Sequence, residues 1–219
     1  MTISRAPILK RMCDLLVATL FLVVAAPLLA LLMALIRLDS RGPVFFRQQR
    51  LGLNGGTFRI WKLRTMVVDA ETRGAGKMTY ESDPRITRVG RVLRRYRLDE
   101  FPQLINVLFG DMSIVGPRPL LPEHLHAYSV SDRRRLSVRP GITGWQQVNG
   151  GSRLNWEERV ALDIWYADHW SIWLDFEIMW RTVAVMVKAD TAYGVDGWQT
   201  SGIPTGLLEQ ERKKGQLDS

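Results

Sequence analysis

The chain has 219 residues, enough for one ordinary domain with a membrane attachment. Lysine and arginine number 30 against 22 acidic residues, a net charge of +8 that suits anionic partners. A single cysteine, Cys13, excludes an internal disulfide, and three histidines with no cysteine cluster leave no zinc signature, so His124 and His126 read as a polar surface pair.

Leu15 to Ile36 reads LLVATLFLVVAAPLLALLMALI, without a charge. About 20 apolar residues suffice to cross a bilayer. A secretory signal has a shorter apolar core followed by small residues, whereas this run ends in Arg37, Leu38 and Asp39, so an uncleaved anchor is expected. The anchor favours phospholipid headgroups or phosphorylated small molecules as partners, and no nucleic acid. Pro27 interrupts the run: it lacks an N–H and its ring presses on the preceding turn. A kinked span and a re-entrant hairpin both satisfy this. Lys10 and Arg11 precede the run while Arg37 and Arg41 follow it, so flanking charge sets no direction across the membrane.

Beyond the anchor, Val44 to Arg50 and Thr57 to Arg64 read as the arms of a β-hairpin, with Asn54-Gly55 as the turn. Gly52, Gly55 and Gly56 lack the Gly-Lys-Ser/Thr ending of a phosphate loop and are turn residues. Ala70 to Ser82 is a polar, glycine-bearing loop, followed by a turn or helix start at Asp83-Pro84. Arg85, Arg88, Arg91, Arg94, Arg95 and Arg97 then recur at helical spacing, either as a solvated basic face or as a grip for phosphate oxygens. Asn155–Trp170 and Ser171–Lys188 read as helices; Asp175, Glu177 and Arg181 exclude the second as a membrane span. Seven of the eight tryptophans lie from Trp145 onward, as core or as headgroup-level anchors.

The chemistry concentrates at Leu98-Asp99-Glu100-Phe101-Pro102-Gln103-Leu104. Asp99 suits an N-cap, Pro102 suits a first helical turn, and Gly110 ends the helix. Two adjacent carboxylates thus stand at a helix start, where unpaired N–H groups favour anions. Side chains at i and i+1 diverge, so the two acids have different jobs: one can attack while the other holds a cation. A plain capping pair is the alternative. Gly116-Pro117-Arg118-Pro119 restricts the backbone on both sides of Arg118, either as a rigid turn or to preset one guanidinium. Lys62 and Arg64 add two cations at the end of the hairpin. No Asp-x-Asp occurs, so the usual metal ligand of nucleotide-sugar glycosyltransferases is missing, and no Gly-x-Ser-x-Gly marks a serine hydrolase.

These motifs fall in one order: Lys10-Arg11-x-x-Asp14, the apolar run broken at Pro27, Gly42-Pro43-Val44-Phe45-Phe46, Lys62-Leu63-Arg64-Thr65-Met66, and Leu98 through Val107. Gly110-Asp111-Met112-Ser113, Val115 through Pro119, and Arg139-Pro140-Gly141-Ile142-Thr143-Gly144-Trp145 complete it. The chain resembles the bacterial sugar transferase family, the monotopic polyprenyl-phosphate phosphoglycosyl transferases, from about residue 10 to 185. One departure is Ala26 before Pro27, where the family often has Ser-Pro.

The resemblance implies a mostly α fold with a small β-hairpin (α+β): a re-entrant helix-break-helix at 1–37, a compact catalytic domain with amphipathic interfacial helices at 38–200, and a polar tail at 201–219. It implies transfer of a sugar-1-phosphate from a UDP-sugar to undecaprenyl phosphate with release of UMP. Asp99 would be the nucleophile and Glu100 the ligand of Mg²⁺. Lys62, Arg94 and Arg118 would bind substrate phosphate, with Arg85, Arg88 and Asp163 as further candidates and Asp175 a weaker one. The expected setting is the cytoplasmic face of a bacterial inner membrane with anionic phospholipid, and a homodimer is a candidate assembly. Direct single displacement and a non-catalytic membrane adaptor are the rival readings.

Overall fold

The apolar run folds as one helix, α1 (Ile8–Asp39), which continues through Pro27. The structure, a computed structural model, describes residues 8–72, 79–80 and 82–187. The expected tail at 201–219 and most of the glycine-bearing loop lie outside the described residues. The helix-break-helix expected at Pro27 is thus an uninterrupted helix. A proline removes one backbone donor and bends the axis, but hydrogen bonds on either side can carry the helix on.

One stripe of α1 is buried: Lys10, Asp14, Ala18, Ala25, Leu32 and Ile36. Their spacing of four and seven keeps them on one face. The opposite face exposes Leu9, Leu16, Leu20 and Val23. Polar contacts hold both ends. Near the start, Lys10 Nζ donates to Asp175 Oδ2 (2.5 Å), Arg11 donates to the carbonyls of Val107 and Leu108, and Asp14 accepts from Ser113 and from the amide of Ile114. At the far end, Asp39 Oδ2 accepts from the amide of Val89, and Arg64 Nη2 donates to the carbonyls of Ile36 and Ser40.

The hairpin forms as expected from Asn-Gly. Strands β1 (Phe45–Leu51) and β2 (Thr57–Leu63) pair antiparallel with Phe46 opposite Lys62. Asn54 (φ 54°) and Gly55 (φ 80°) take the left-handed region, within a longer loop that includes a 3₁₀ turn at Leu53–Gly55. Helices α2 (Arg88–Arg95) and α3 (Gln103–Phe109) follow, the latter ended by Gly110 at φ 89°. A short parallel pair joins β3 (Ser113–Val115) to β4 (Gly141–Thr143). Then come α4 (Trp145–Val148), α5 (Trp156–His169) with an Asn155/Glu158 capping box, and α6 (Ile172–Val187). The described fold is mostly helical with a small antiparallel sheet.

The core ties these pieces to the anchor. Ala18 packs with Ile60, Leu104, Val107 and Met112; Leu32 and Ile36 pack with Leu63 and Leu93. Each fully buried large apolar side chain contributes about 1.5–3 kcal/mol. Among the described residues α1 is the one helix long and apolar enough to cross a membrane, which suits membrane association.

Candidate active site

A cavity of about 630 Å³ opens between the hairpin, α2 and the segment after β3, and Lys62, Arg94, Asp99, Glu100 and Arg118 line it. Each is delivered by a local constraint. Asp99 and Glu100 sit in a 3₁₀ turn, Leu98–Glu100, rather than in the first turn of a helix. Arg97 begins that turn in the left-handed region (φ 55°), an unusual conformation for a side chain of its size. The amides of Glu100 and Phe101 then bond back three residues, and Pro102 takes the cap position assigned above to Asp99. The carboxylates are therefore free of capping duty.

Two glycines let backbone approach backbone and so place two cations. A Cβ at Gly90 would lie 2.0 Å from the Thr65 carbonyl oxygen, so glycine lets α2 lie directly on that segment. This puts Arg94 Nε 2.9 Å from Thr65 Oγ1. A Cβ at Gly116 would lie 2.3 Å from the Arg139 carbonyl oxygen. Bare Gly116 instead donates to Thr143 while Gly141 donates to Pro117, which clamps the turn carrying Arg118 against β4.

Glu100 is doubly paired. Its Oε1 accepts from Lys62 Nζ (2.9 Å) and Arg118 Nη2 (2.6 Å), and its Oε2 accepts from Arg118 Nη1 (3.2 Å). Burial pushes its pKa up, but Arg118 and Lys62 outweigh burial and hold it well below the usual carboxylate range. Asp99, 9 % exposed, is different: among the described residues its carboxylate makes no hydrogen bond or ion pair. Burial raises its pKa, opposed first by Lys62 and reinforced by the charge of Glu100. Burial likewise lowers Lys62, and the neighbouring Glu100 pulls it back up. The chemistry on offer is a buried, unpaired carboxylate facing three cations, beside a second carboxylate locked in place.

The remaining sequence candidates lie elsewhere. Arg85 is buried against Asp83 (Nη2 to Oδ2, 2.6 Å) and the Ala70 carbonyl, outside the cavity lining. Arg88 is on the solvent face of α2 with Arg91 and Arg95. Asp163 is buried behind Arg118: it pairs with Arg135, whose Nη2 also donates to the Arg118 carbonyl (3.1 Å). Burial pushes Asp163 up to about 6, against the pull of Arg135. Asp175 holds Lys10 and accepts from Trp170 and Tyr166, joining α6 to the start of α1. Trp170 packs inward, whereas Trp173 and Trp180 are each 78 % exposed on α6.

His124, read above as one of a polar surface pair, is instead buried in this cavity lining, and two further lining residues escaped the sequence reading. Arg50 donates to Gln48 (2.5 Å), and burial pushes its pKa down to about 10. Strand alternation could have found it, because positions 46, 48 and 50 share the face of Lys62. Gln103 is the second; its place four residues after Asp99 was the only signal.

Among the described residues no three His, Cys, Asp or Glu side chains gather as a ready metal cage. Mg²⁺ at phosphate-handling sites takes one or two carboxylates with water and substrate oxygens. Glu100, on the wall of a roomy cavity, can supply one such carboxylate, since its two oxygens accept three hydrogen bonds from Lys62 and Arg118 and keep a lone pair beyond them.

The pattern that defines bacterial sugar transferases matches residues 5–189. The chain belongs to the bacterial sugar transferase family. It is 44 % identical over 183 residues to the uncharacterized sugar transferase EpsL of Bacillus subtilis, covering 84 % of this chain and 89 % of that one. It is 45 % identical to the undecaprenyl-phosphate glucose phosphotransferase of Komagataeibacter xylinus, over 84 % of this chain and 37 % of that protein. It is 44 % identical to the UDP-glucose:undecaprenyl-phosphate glucose-1-phosphate transferase of Caulobacter vibrioides, over 84 % of this chain and 72 % of the relative. This sugar transferase thus spans most of two of these relatives and just over a third of the third.

Proposed function

We propose that this family member is a phosphoglycosyl transferase that moves a sugar-1-phosphate from a UDP-sugar to undecaprenyl phosphate in two displacements. The observation that carries this reading is the unpaired Asp99 carboxylate in a wall of cations. An Asp99 oxygen attacks the sugar-bearing phosphorus, the bond to the bridging oxygen breaks, and UMP leaves with that electron pair. A phosphate oxygen of the lipid then attacks the same phosphorus and Asp99 departs as carboxylate. Two steps let two mutually repelling phosphate substrates react in turn. Lys62, Arg94 and Arg118 stabilise charge on the transferring phosphoryl group. Glu100 would hold Mg²⁺ together with diphosphate oxygens, and the ion would supply charge neutralisation there. Asp163 acts at one remove, through Arg135 on the Arg118 main chain.

A UDP-sugar labelled in the sugar should leave label on the protein, and Asp99→Asn should abolish both label and turnover. Turnover without trapped label, with both substrates bound together, would instead indicate direct displacement. Full activity in Asp99→Asn would exclude Asp99 as nucleophile.

The same reading places the enzyme on the cytoplasmic face of the inner membrane, with α1 a single continuous helix, bent at Pro27, that enters and leaves that one face. Both ends of α1 are bound to one charge-bearing body, through Lys10–Asp175 at the start and Asp39–Val89 at the end. A perpendicular span would carry one end about 30 Å away through the bilayer. The exposed outer face of α1, the tryptophans on α6 and the arginines on α2 suit acyl chains, interface and anionic headgroups respectively. Cys13 and a cysteine introduced at Leu38 should react with an impermeant thiol reagent from the same side; labelling from opposite sides would rule re-entry out.

A further inference from the structure

Gln103 opens α3, four residues after Asp99, in the wall of the cavity and 2 % exposed. Its carboxamide nitrogen carries two N–H donors, and among the described residues Nε2 has no hydrogen-bond partner. Arg94 Nη1 on the same wall is also buried and unpartnered, although Thr65 holds the Nε of that guanidinium. A buried donor without an acceptor destabilises the folded protein, and native structures hold few of them. A packing role would be served better by methionine or leucine, which bring no orphaned donor. Unfilled donors lining the same cavity as an unpaired carboxylate make sense when the acceptor arrives with the substrate.

We propose that Gln103 contacts the substrate: its carboxamide donates to an oxygen of the phosphoryl group that Asp99 attacks, alongside Arg94 Nη1. The inference rests on the transfer reaction proposed above. The role calls for a neutral donor. Lys62 and Arg118 are already engaged with Glu100. A further cation at this position would draw charge from Asp99 and blunt its attack, whereas an amide N–H binds the phosphoryl oxygen without adding charge. Gln103 neither gains nor loses a proton and forms no covalent bond.

Q103M keeps the length and most of the volume of the side chain but removes both donors. The assay is UMP release from UDP-glucose or UDP-galactose, whichever the unaltered protein turns over, with undecaprenyl phosphate as acceptor. Q103M should lower kcat/KM about 10- to 100-fold, the usual effect of losing a hydrogen bond to a charged group. Its thermal midpoint should stay level or rise, because an unsatisfied donor has gone, and the stabilisation given by added UDP-sugar should shrink. Q103E places acceptors beside phosphate and should fall below Q103M. Activity within twofold of the unaltered protein would overturn the inference. So would a midpoint several degrees lower with an unchanged response to UDP-sugar, the signature of a packing residue, or Q103E matching Q103M. An unaltered protein that releases UMP from no sugar nucleotide would defeat the reaction and this inference together. Turnover and label on Asp99 with an indifferent Q103M would defeat this inference alone.

Discussion

At the start of α1, Lys10 donates to Asp175 Oδ2 at 2.5 Å and to the Val115 carbonyl at 3.1 Å, while Tyr166 and Trp170 donate to the same carboxylate at 2.7 and 3.1 Å. In the cavity, Glu100 is equally well supplied, but Asp99 accepts nothing and Arg94 Nη1 and Gln103 Nε2 donate to nothing among the described residues. Both clusters are buried and charged. The protein completes the first with its own atoms, and that is what a structural clamp requires. The second is left short of acceptors on the donor side and of donors on the carboxylate side, which suits the phosphate-bearing substrate proposed above.

The contrast can be broken by substitution. Asp175→Asn leaves the Lys10 ammonium buried without its counter-charge and should destabilise the protein by about 3–5 kcal/mol. The fraction still folded should turn over at close to the normal rate. A normal thermal midpoint with lost turnover would move Asp175 into the catalytic cluster. Glu100→Gln should do the reverse: at least about a 100-fold loss of kcat, the scale for removing a preorganised charge, with weakened magnesium dependence. An unchanged magnesium profile would contradict Glu100 as the metal ligand.

A smaller effect sharpens the picture by pH. As the nucleophile proposed above, Asp99 must be ionised to attack, and burial raises its pKa above the ordinary carboxylate value. The acid limb of kcat/KM should therefore fall as pH drops through that raised value. Lys62 is the largest charge opposing the rise, so the residual activity of Lys62→Met should lose its acid limb at higher pH than the unaltered protein. A limb that stays put, or moves to lower pH, would show that Lys62 does not hold Asp99 ionised.

Much of this was legible in the sequence where local chemistry governs. Asn54-Gly55 announced a hairpin because few other pairs accept two positive φ values, and Gly110 marked the end of α3 for the same reason. The motif residues Lys62, Arg94, Asp99, Glu100 and Arg118 do converge on one cavity. Partnership was not legible. Glu100 meets Lys62 and Arg118 across 38 and 18 residues of chain, a tertiary fact. Arg85 belonged by spacing to the phosphate-gripping arginines, yet it precedes α2 and folds back on Asp83 two residues away. The passage of α1 through Pro27 was hidden too, since a proline signals a bend without telling whether the helix resumes.

The attachment of α1 carries a consequence for handling the molecule. Arg11 supplies donors to the Val107 and Leu108 carbonyls at the end of α3, and Ala18 fills the space beside Ile60 and Leu104. The helix that is long and apolar enough to cross a membrane is also a wall of the folded body. Trimming the first 38 residues to make a freely soluble enzyme would peel a face off the folded domain and leave the opposite end of α3, the helix that Gln103 begins, without its cap. Detergent or a lipid disc, rather than truncation, is the route to an active preparation.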